Sequence, residues 1–278
     1  MDLRAWLAER ATLLERFLDE RVPPAEAEPA ALHAAMRHLL FPGGKRLRPA
    51  FAFAACEAVG GAPERALPLA AAVELVHTYS LIHDDLPCMD DDAVRRGRPT
   101  VHVAHGEALA VLAGDALQAL AFEVLAAPGH APDAARLAAL RELAAAAGAQ
   151  GLVGGQADDL AFAAEGGADR VESVHRRKTA ALFAAATAGG ALLGGAAPER
   201  AAQLRRFGLQ VGAGFQIADD LLDRGDDEPC SLVRVLGPDA ARARAAARLA
   251  RGLAEIEDLG QRGETLRELA RAAVERDL

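Results

Sequence analysis

The sequence predicts an all-α fold: a single domain of long helices packed around one core. Three observations carry this expectation. Half of the 278 residues are hydrophobic, yet aromatics make up only 4%, and β-branched runs are nearly absent, a composition that favours helix. No stretch alternates apolar and polar residues as a strand would. Gly, Pro and Asp punctuate helix-length segments without forming a linker long enough to divide the chain, so residues 1–278 read as one domain.

In chain order, residues 3–21 read as an amphipathic helix ended by Pro23-Pro24, and 30–40 as a second, stopped by Phe41-Pro42-Gly43-Gly44. Pro49 starts a buried helix reaching about Val59. Residues 67–86 form a long, mostly apolar helix. Helices follow over 106–126, 133–148, 170–193, 199–223, 238–258 and 263–276.

The net charge of −9 argues against nucleic acid or an anionic membrane as partner. Charge or glycine interrupts the longest apolar runs, so no membrane span is expected. Met1-Asp2-Leu3-Arg4-Ala5-Trp6 lacks the apolar core of a signal peptide, which points to the cytoplasm. Cys56, Cys88 and Cys230 form no CxxC pair and read as three unpaired thiols.

Chemistry is written most densely over residues 80–92. Asp84, Asp85, Asp90, Asp91 and Asp92 crowd together and repel one another unless a cation sits among them. Hard carboxylate oxygens suit Mg²⁺, which commonly takes substrate phosphates as further ligands. On a helix Asp84 shares a face with Ser80, His77 and Val73, while Asp90 would point away; Pro87 breaks the helix and lets a loop fold Asp90 back. Far downstream, Asp219 and Asp223 are spaced i, i+4 on one face, with Asp220 pointing elsewhere and Phe215-Gln216-Ile217 as an apolar wall before them. Of 31 basic residues only two are lysines. Lys45 lies in Gly43-Gly44-Lys45-Arg46-Leu47-Arg48-Pro49 and Lys178 in Arg176-Arg177-Lys178-Thr179, and these knots, with Arg95 and Arg96, have the chemistry to hold phosphate. Together the clusters suggest a Mg²⁺–diphosphate site.

Seven motifs occur in one order: Gly43–Pro49, His77–Asp92, Arg95-Arg96-Gly97, Ala113–Leu117, Gly154-Gly155-Gln156, His175–Thr179 and Gly214–Asp223. On these the chain resembles the trans-polyprenyl diphosphate synthases, and within them the bacterial farnesyl/geranylgeranyl diphosphate synthase branch, over about residues 30–223. The resemblance implies a helical bundle around a central cavity, of the isoprenoid synthase type. It implies a Mg²⁺-dependent prenyltransferase that condenses isopentenyl diphosphate head-to-tail with an allylic diphosphate, a reaction that needs no nucleophilic side chain.

 The reaction needs positioning and electrostatics only. Asp84 and Asp90, with Asp85 supporting, would hold Mg²⁺ on the allylic diphosphate; Asp219, with Asp223, would hold a further ion from the opposite wall. Asp84, Asp85, Asp90, Asp219 and Lys178 would thus carry catalysis. Gly44, Lys45, Arg48, His77 and Arg96 match the isopentenyl diphosphate pocket, and Arg95, Lys178, Thr179 and Gln216 match contacts to the allylic substrate. A homodimer is implied as well. Ideal helix geometry points Ser80 into the cavity and Tyr79 toward its shoulder, but the resemblance makes Tyr79 the stop that selects the farnesyl product, with geranylgeranyl diphosphate as the alternative.

The pattern breaks after Asp223. Residues 224–237 form a shorter, lysine-free loop, leaving Arg224 or Arg234 to replace a lysine of the family, and the chain ends without the usual basic residues. A weakly active partner subunit is therefore a competing reading. A class I terpene cyclase is a third, disfavoured because the Lys45/Arg48 knot would have no purpose.

Overall fold

The computed structural model describes residues 2–162, 167–222 and 230–275. Helix α1 (Leu3–Arg21) is capped by Asp2, whose carboxylate accepts from the N–H groups of Arg4 and Ala5 at 2.9 and 3.2 Å. It is followed by α2 (Ala30–Leu40), α3 (Leu47–Ala58) and α4 (Pro63–Asp84). A two-stranded antiparallel ribbon, β1 (Val94–Arg95) and β2 (Arg98–Pro99), leads into α5 (Val101–His105) and α6 (Glu107–Ala126). Then come α7 (Asp133–Ala147), α8 (Leu152–Leu160), α9 (Ala168–His175) and α10 (Ala181–Gly194), the last two joined by a π-helical turn over Arg176–Ala180. Helix α11 (Pro198–Leu222) is followed by α12 (Leu232–Leu236), α13 (Pro238–Glu255), a 3₁₀ segment (Glu257–Gly263) and α14 (Glu264–Glu275).

The all-α expectation holds, with the small ribbon as its one exception among the described residues. The expected helix over 67–86 starts earlier, at Pro63, because proline suits the first turn, where its missing N–H has no intrahelical partner. The expected helix over 170–193 is three pieces, and α8 and α12 lie where no helix was expected.

The core lies between α3, α4, α10 and α11. Phe51, Phe53, Phe183 and Phe207 are fully buried there, and Phe51 meets Phe183 edge-on at 5.4 Å between centroids. Alanine along α3, α4 and α10 lets these helices approach closely around the few large rings. Cys56 and Cys230 are buried, and Cys88 is exposed.

Helix α6 is by length and composition apolar enough to cross a membrane, with mean hydropathy 1.7. Its inner face packs on α4, while Leu112 and Val111 are exposed on the outer face, 52% and 41% respectively. A face apolar on both sides marks a helix with a second surface to cover.

Candidate active site

Helix α4 delivers the first acidic cluster. Its last turns put Ser80, Leu81 and Asp84 on the wall of a cavity of about 450 Å³. Beyond Asp84 the chain reverses: the Asp90 N–H donates to the Asp84 carbonyl at 2.9 Å, and Asp91 takes φ 55° to close the turn. Asp90 thereby lines the same cavity as Asp84, the fold-back expected from Pro87. Burial pushes the Asp84 carboxyl up to about 7, with Asp90 and Asp85 raising it and Lys178 and Arg95 lowering it. Burial also raises Asp90.

Asp85 is differently placed. It is buried outside the cavity lining, and its Oδ1 accepts from Arg95 Nε at 2.5 Å. It therefore fixes Arg95, which does line the cavity, instead of presenting oxygens beside Asp84 and Asp90. The expectation of Asp85 as a supporting ligand is corrected to this indirect support.

The opposite wall comes from α11 and the π turn. Phe215, Gln216 and Asp219 line the cavity from α11; Lys178 and Thr179 line it from the turn. The Thr179 hydroxyl donates to Gln216 Oε1 at 2.7 Å. Asp220 points away, as its helix phase requires, and accepts from Gln216 Nε2 at 3.2 Å and from the Leu232 N–H at 2.9 Å, tying α11 to α12. Asp223 and Arg224 lie outside the described residues. Arg234 is exposed and does not line the cavity.

Helix α8 adds two residues to which the sequence assigned no role. Asp159 Oδ2 accepts from Lys178 Nζ at 2.6 Å. Burial alone would lower the Lys178 ammonium, but Asp159 and Asp84 overcome it and hold the group above its ordinary value. Gln156 lines the cavity beside it. Helix α8 reaches this position through Gly155, where a Cβ would lie 2.3 Å from the Lys178 backbone nitrogen.

A second cavity of about 150 Å³ adjoins the first. Gly44, Lys45, Arg48, His77 and Arg96 line it, and four residues, Arg48, His77, Arg96 and Phe215, line both. Gly44 lies close under Arg96: a Cβ there would sit 2.7 Å from the guanidinium, which would have to shift. Beneath the knot, Arg46 takes φ 51° and drives its buried side chain onto buried Glu74 at 2.6 Å. This pair anchors the loop between α2 and α3 to α4.

Arg48 donates through Nη1 to His77 Nε2 at 3.1 Å. Burial, reinforced by the guanidiniums of Arg48, Arg96, Arg95 and Arg46, holds His77 well below its ordinary value, so the ring is neutral and can accept. In the unfolded chain this ring takes up a proton below pH of about 6.5; in the folded chain it does not. The unfolded state therefore gains the proton as pH falls, and stability is lost below that pH. In His77→Gln this part of the loss should vanish. The stability difference between wild type and variant, measured by chemical unfolding, should shrink from pH about 7.5 to about 5.5. A difference independent of pH would contradict a neutral His77.

Tyr79 stands behind this site. It is 4% exposed, lies outside the lining of the larger cavity and packs edge-on against His83 at 5.8 Å, while Ser80 faces in and donates to the His77 carbonyl. Helix phase explains the difference, since adjacent residues turn about 100° apart.

The described residues contain no group of three His, Cys, Asp or Glu side chains converged for a metal. Asp84 and Asp90 on one wall and Asp219 on the other instead make an open set of hard oxygens. Such a set suits Mg²⁺ bound through one or two carboxylates and completed by phosphate. The raised Asp84 carboxyl fits as well, because a cation would offset the burial that raises it.

The profile of the polyprenyl synthetase family matches residues 29–268. The chain belongs to that family. Among its relatives it is 46% identical over 231 residues to the heterodimeric geranylgeranyl pyrophosphate synthase large subunit 1 of Arabidopsis thaliana, covering 80% of this chain and 61% of the relative. It is 47% identical over 229 residues to geranylgeranyl pyrophosphate synthase 7 of the same plant, covering 80% and 65%. The chain thus spans less than two thirds of the length of these curated relatives. Among solved structures it resembles an FPP/GFPP synthase from Zymomonas mobilis, with TM-score 0.91, 39% identity and coverage of 98% of this chain and 99% of that one. Geranylgeranyl pyrophosphate synthetase from Pyrococcus horikoshii gives TM-score 0.89 at 31% identity, with 99% of both chains covered. Polyprenyl synthetase membership and the all-α architecture therefore agree.

Proposed function

We propose that this polyprenyl synthetase is a Mg²⁺-dependent prenyltransferase that joins isopentenyl diphosphate to an allylic diphosphate. One observation carries the reading: two cation-lined cavities share the wall made by Arg48, His77, Arg96 and Phe215. Two anionic substrates would meet across that wall.

Lys178 and Arg95 would hold the allylic diphosphate, and Lys45, Arg48 and Arg96 the isopentenyl diphosphate, with neutral His77 orienting Arg48. Asp84, Asp90 and Asp219 are the residues that would hold Mg²⁺, which when bound neutralises the charge gathering on the departing diphosphate. The bond from allylic C1 to oxygen breaks, the isopentenyl double bond attacks C1, and a proton leaves the isopentenyl C2 for the released diphosphate. Thr179 and Gln216 would border the reacting carbons with oxygen atoms, and Phe215 and Leu182 would exclude water. Incubation with isopentenyl and dimethylallyl diphosphates and Mg²⁺, followed by mass spectrometry, tests this. Absence of a longer prenyl diphosphate would overturn it.

For product length we favour farnesyl diphosphate. Tyr79 fills the space behind Ser80, on the side of α4 that packs against α6, and would stop a tail that passes Ser80. A 20-carbon product is the second reading, favoured by the small Ser80 in the lining and by the geranylgeranyl names of the plant relatives. Tyr79→Ala should shift the product toward longer chains by mass spectrometry. An unchanged distribution would place the stop elsewhere.

The exposed apolar face of α6 supports a homodimer, with a second copy covering Val111 and Leu112. An obligate helical dimer would bury upward of about 2,000 Å². Light scattering at micromolar concentration should give twice the chain mass, and a monomer would refute this assignment.

A further inference from the structure

Helix α2 ends in carbonyls that its own backbone does not satisfy. The Phe41 N–H donates to the Arg37 carbonyl, but Pro42, four residues after His38, has no N–H to offer the next one. Arginine side chains take over. Arg98 Nη1 donates to the carbonyls of His38 and Phe41, both at 3.2 Å, Arg96 Nη1 to that of Leu39 at 3.4 Å, and Arg46 Nη2 to that of Leu40 at 2.7 Å. Guanidiniums suit a helix C-terminus, where the macrodipole is negative.

Two of these arginines belong to the ribbon, which is too small to hold its shape alone. It has two residues per strand, and an isolated hairpin is marginal in water. Its turn, Arg96-Gly97, takes φ 53° and 72°, a geometry that Asn, Asp and Gly adopt more readily than arginine. The β1 side is secured by Arg95, which donates to Asp85 at 2.5 Å and to Asp92 at 3.0 Å. The β2 side is secured by Arg98 and by His38, whose Nε2 donates to the Pro99 carbonyl at 2.8 Å. His105 of α5 sets the orientation of that ring, its Nε2 lying 3.2 Å from His38 Nδ1.

Arg98 and His38 line neither cavity. They join two segments that do: the ribbon carrying Arg96, and the loop that leaves α2 through Gly43-Gly44-Lys45. Resting on the prenyl-transfer reading, we propose that Arg98 is a positioning residue for isopentenyl diphosphate. By clasping β2 to the end of α2 it sets the separation of Arg96 from Lys45 and Arg48, and so the spacing of the cations that grip one diphosphate. The allylic side does not depend on the clasp, because Asp85 and Asp92 hold Arg95 independently.

The test uses Arg98→Met, Arg98→Lys and His38→Leu. Calorimetry titrates isopentenyl diphosphate into enzyme saturated with Mg²⁺ and dimethylallyl S-thiolodiphosphate, an unreactive allylic mimic. A separate titration reads the mimic itself, and steady-state kinetics reads KM and kcat. Arg98→Met should weaken isopentenyl diphosphate binding and raise its KM about tenfold, with kcat within about threefold and mimic binding within about twofold. His38→Leu, which cuts the clasp without removing an arginine, should weaken isopentenyl diphosphate about threefold. Arg98→Lys should recover part of the loss, since an ammonium keeps the charge but not the planar fork. Should Arg98→Met fail to fold, the other two variants carry the comparison. A folded Arg98→Met with a lower Tm but unchanged isopentenyl diphosphate binding would make Arg98 merely structural and overturn the proposal. Unchanged binding in His38→Leu would mean that Arg98 acts by its charge at a distance, which also overturns it, as would equal weakening of the mimic. A wild type that binds no isopentenyl diphosphate would instead overturn the prenyl-transfer reading, and this proposal with it.

Discussion

Asp84→Ala and Asp219→Ala are each expected to lower turnover about a thousandfold or more, while the protein stays folded. The two carboxylates line opposite walls of one cavity. Their proposed work is to hold cations on a leaving group whose negative charge grows in the transition state, and each factor of ten in rate corresponds to about 1.4 kcal/mol. Neither substitution should unfold the chain. Asp84 is raised to about 7 by burial, so ionising it at neutral pH opposes folding in the absence of a cation. Steady-state turnover with saturating Mg²⁺ tests the variants, and excess EDTA tests the wild type. Full activity in EDTA would sink the metal assignment for all three aspartates at once.

Arg48→Ala should act mainly on isopentenyl diphosphate. Its guanidinium is lowered to about 10 by burial, with Glu74 and Asp219 holding it up against Arg96. It therefore remains a cation at neutral pH. It spans both cavities, donates to His77 and lies 5.0 Å from the Phe183 ring centroid. Removing a charge-assisted contact of this kind costs about 1.5–3 kcal/mol, which is about a 10- to 150-fold rise in KM for isopentenyl diphosphate. Lys45→Ala, at the exposed mouth of the smaller cavity, should give the lower end of that range. Arg48→Lys should recover only part of the loss, because the ammonium lacks the planar fork. An unchanged KM in Arg48→Ala and Lys45→Ala together would refute the assignment of the smaller cavity.

What was legible in the sequence was what depends on local rules. Asp84 and Asp90 could be brought together on paper because Pro87 must end a helix, and the backbone bond from Asp90 to Asp84 realises that reversal. Ser80 and Tyr79 were separable by phase alone. Helix α8 was not legible, since Gly151, Gly154 and Gly155 depress helix propensity. It forms because Gly155 buries its bare backbone against Lys178, a contact about twenty residues away that no local pattern announces. Asp159 was missed with it, and Gln156 was legible only as part of the Gly154-Gly155-Gln156 motif, with no role. The ribbon beside Arg95 and Arg96 is too short, at two residues per strand, to alternate visibly. Asp85 misled for a different reason. Adjacent aspartates look equivalent in sequence, yet at a helix end one faces the cavity and the next faces Arg95.

The π turn over Arg176–Ala180 has a consequence for how this chain tolerates insertion and deletion. A π turn accommodates one residue more than regular α-helix would, so α9 and α10 run about 100° out of phase with the single helix they would otherwise form. Deleting any one residue inside the turn would restore that phase and improve the local hydrogen bonding. It would also swing Lys178 and Thr179 off the cavity wall. At this point the better helix is the worse enzyme. Chains compared across this segment should therefore keep its residue count even where its letters change.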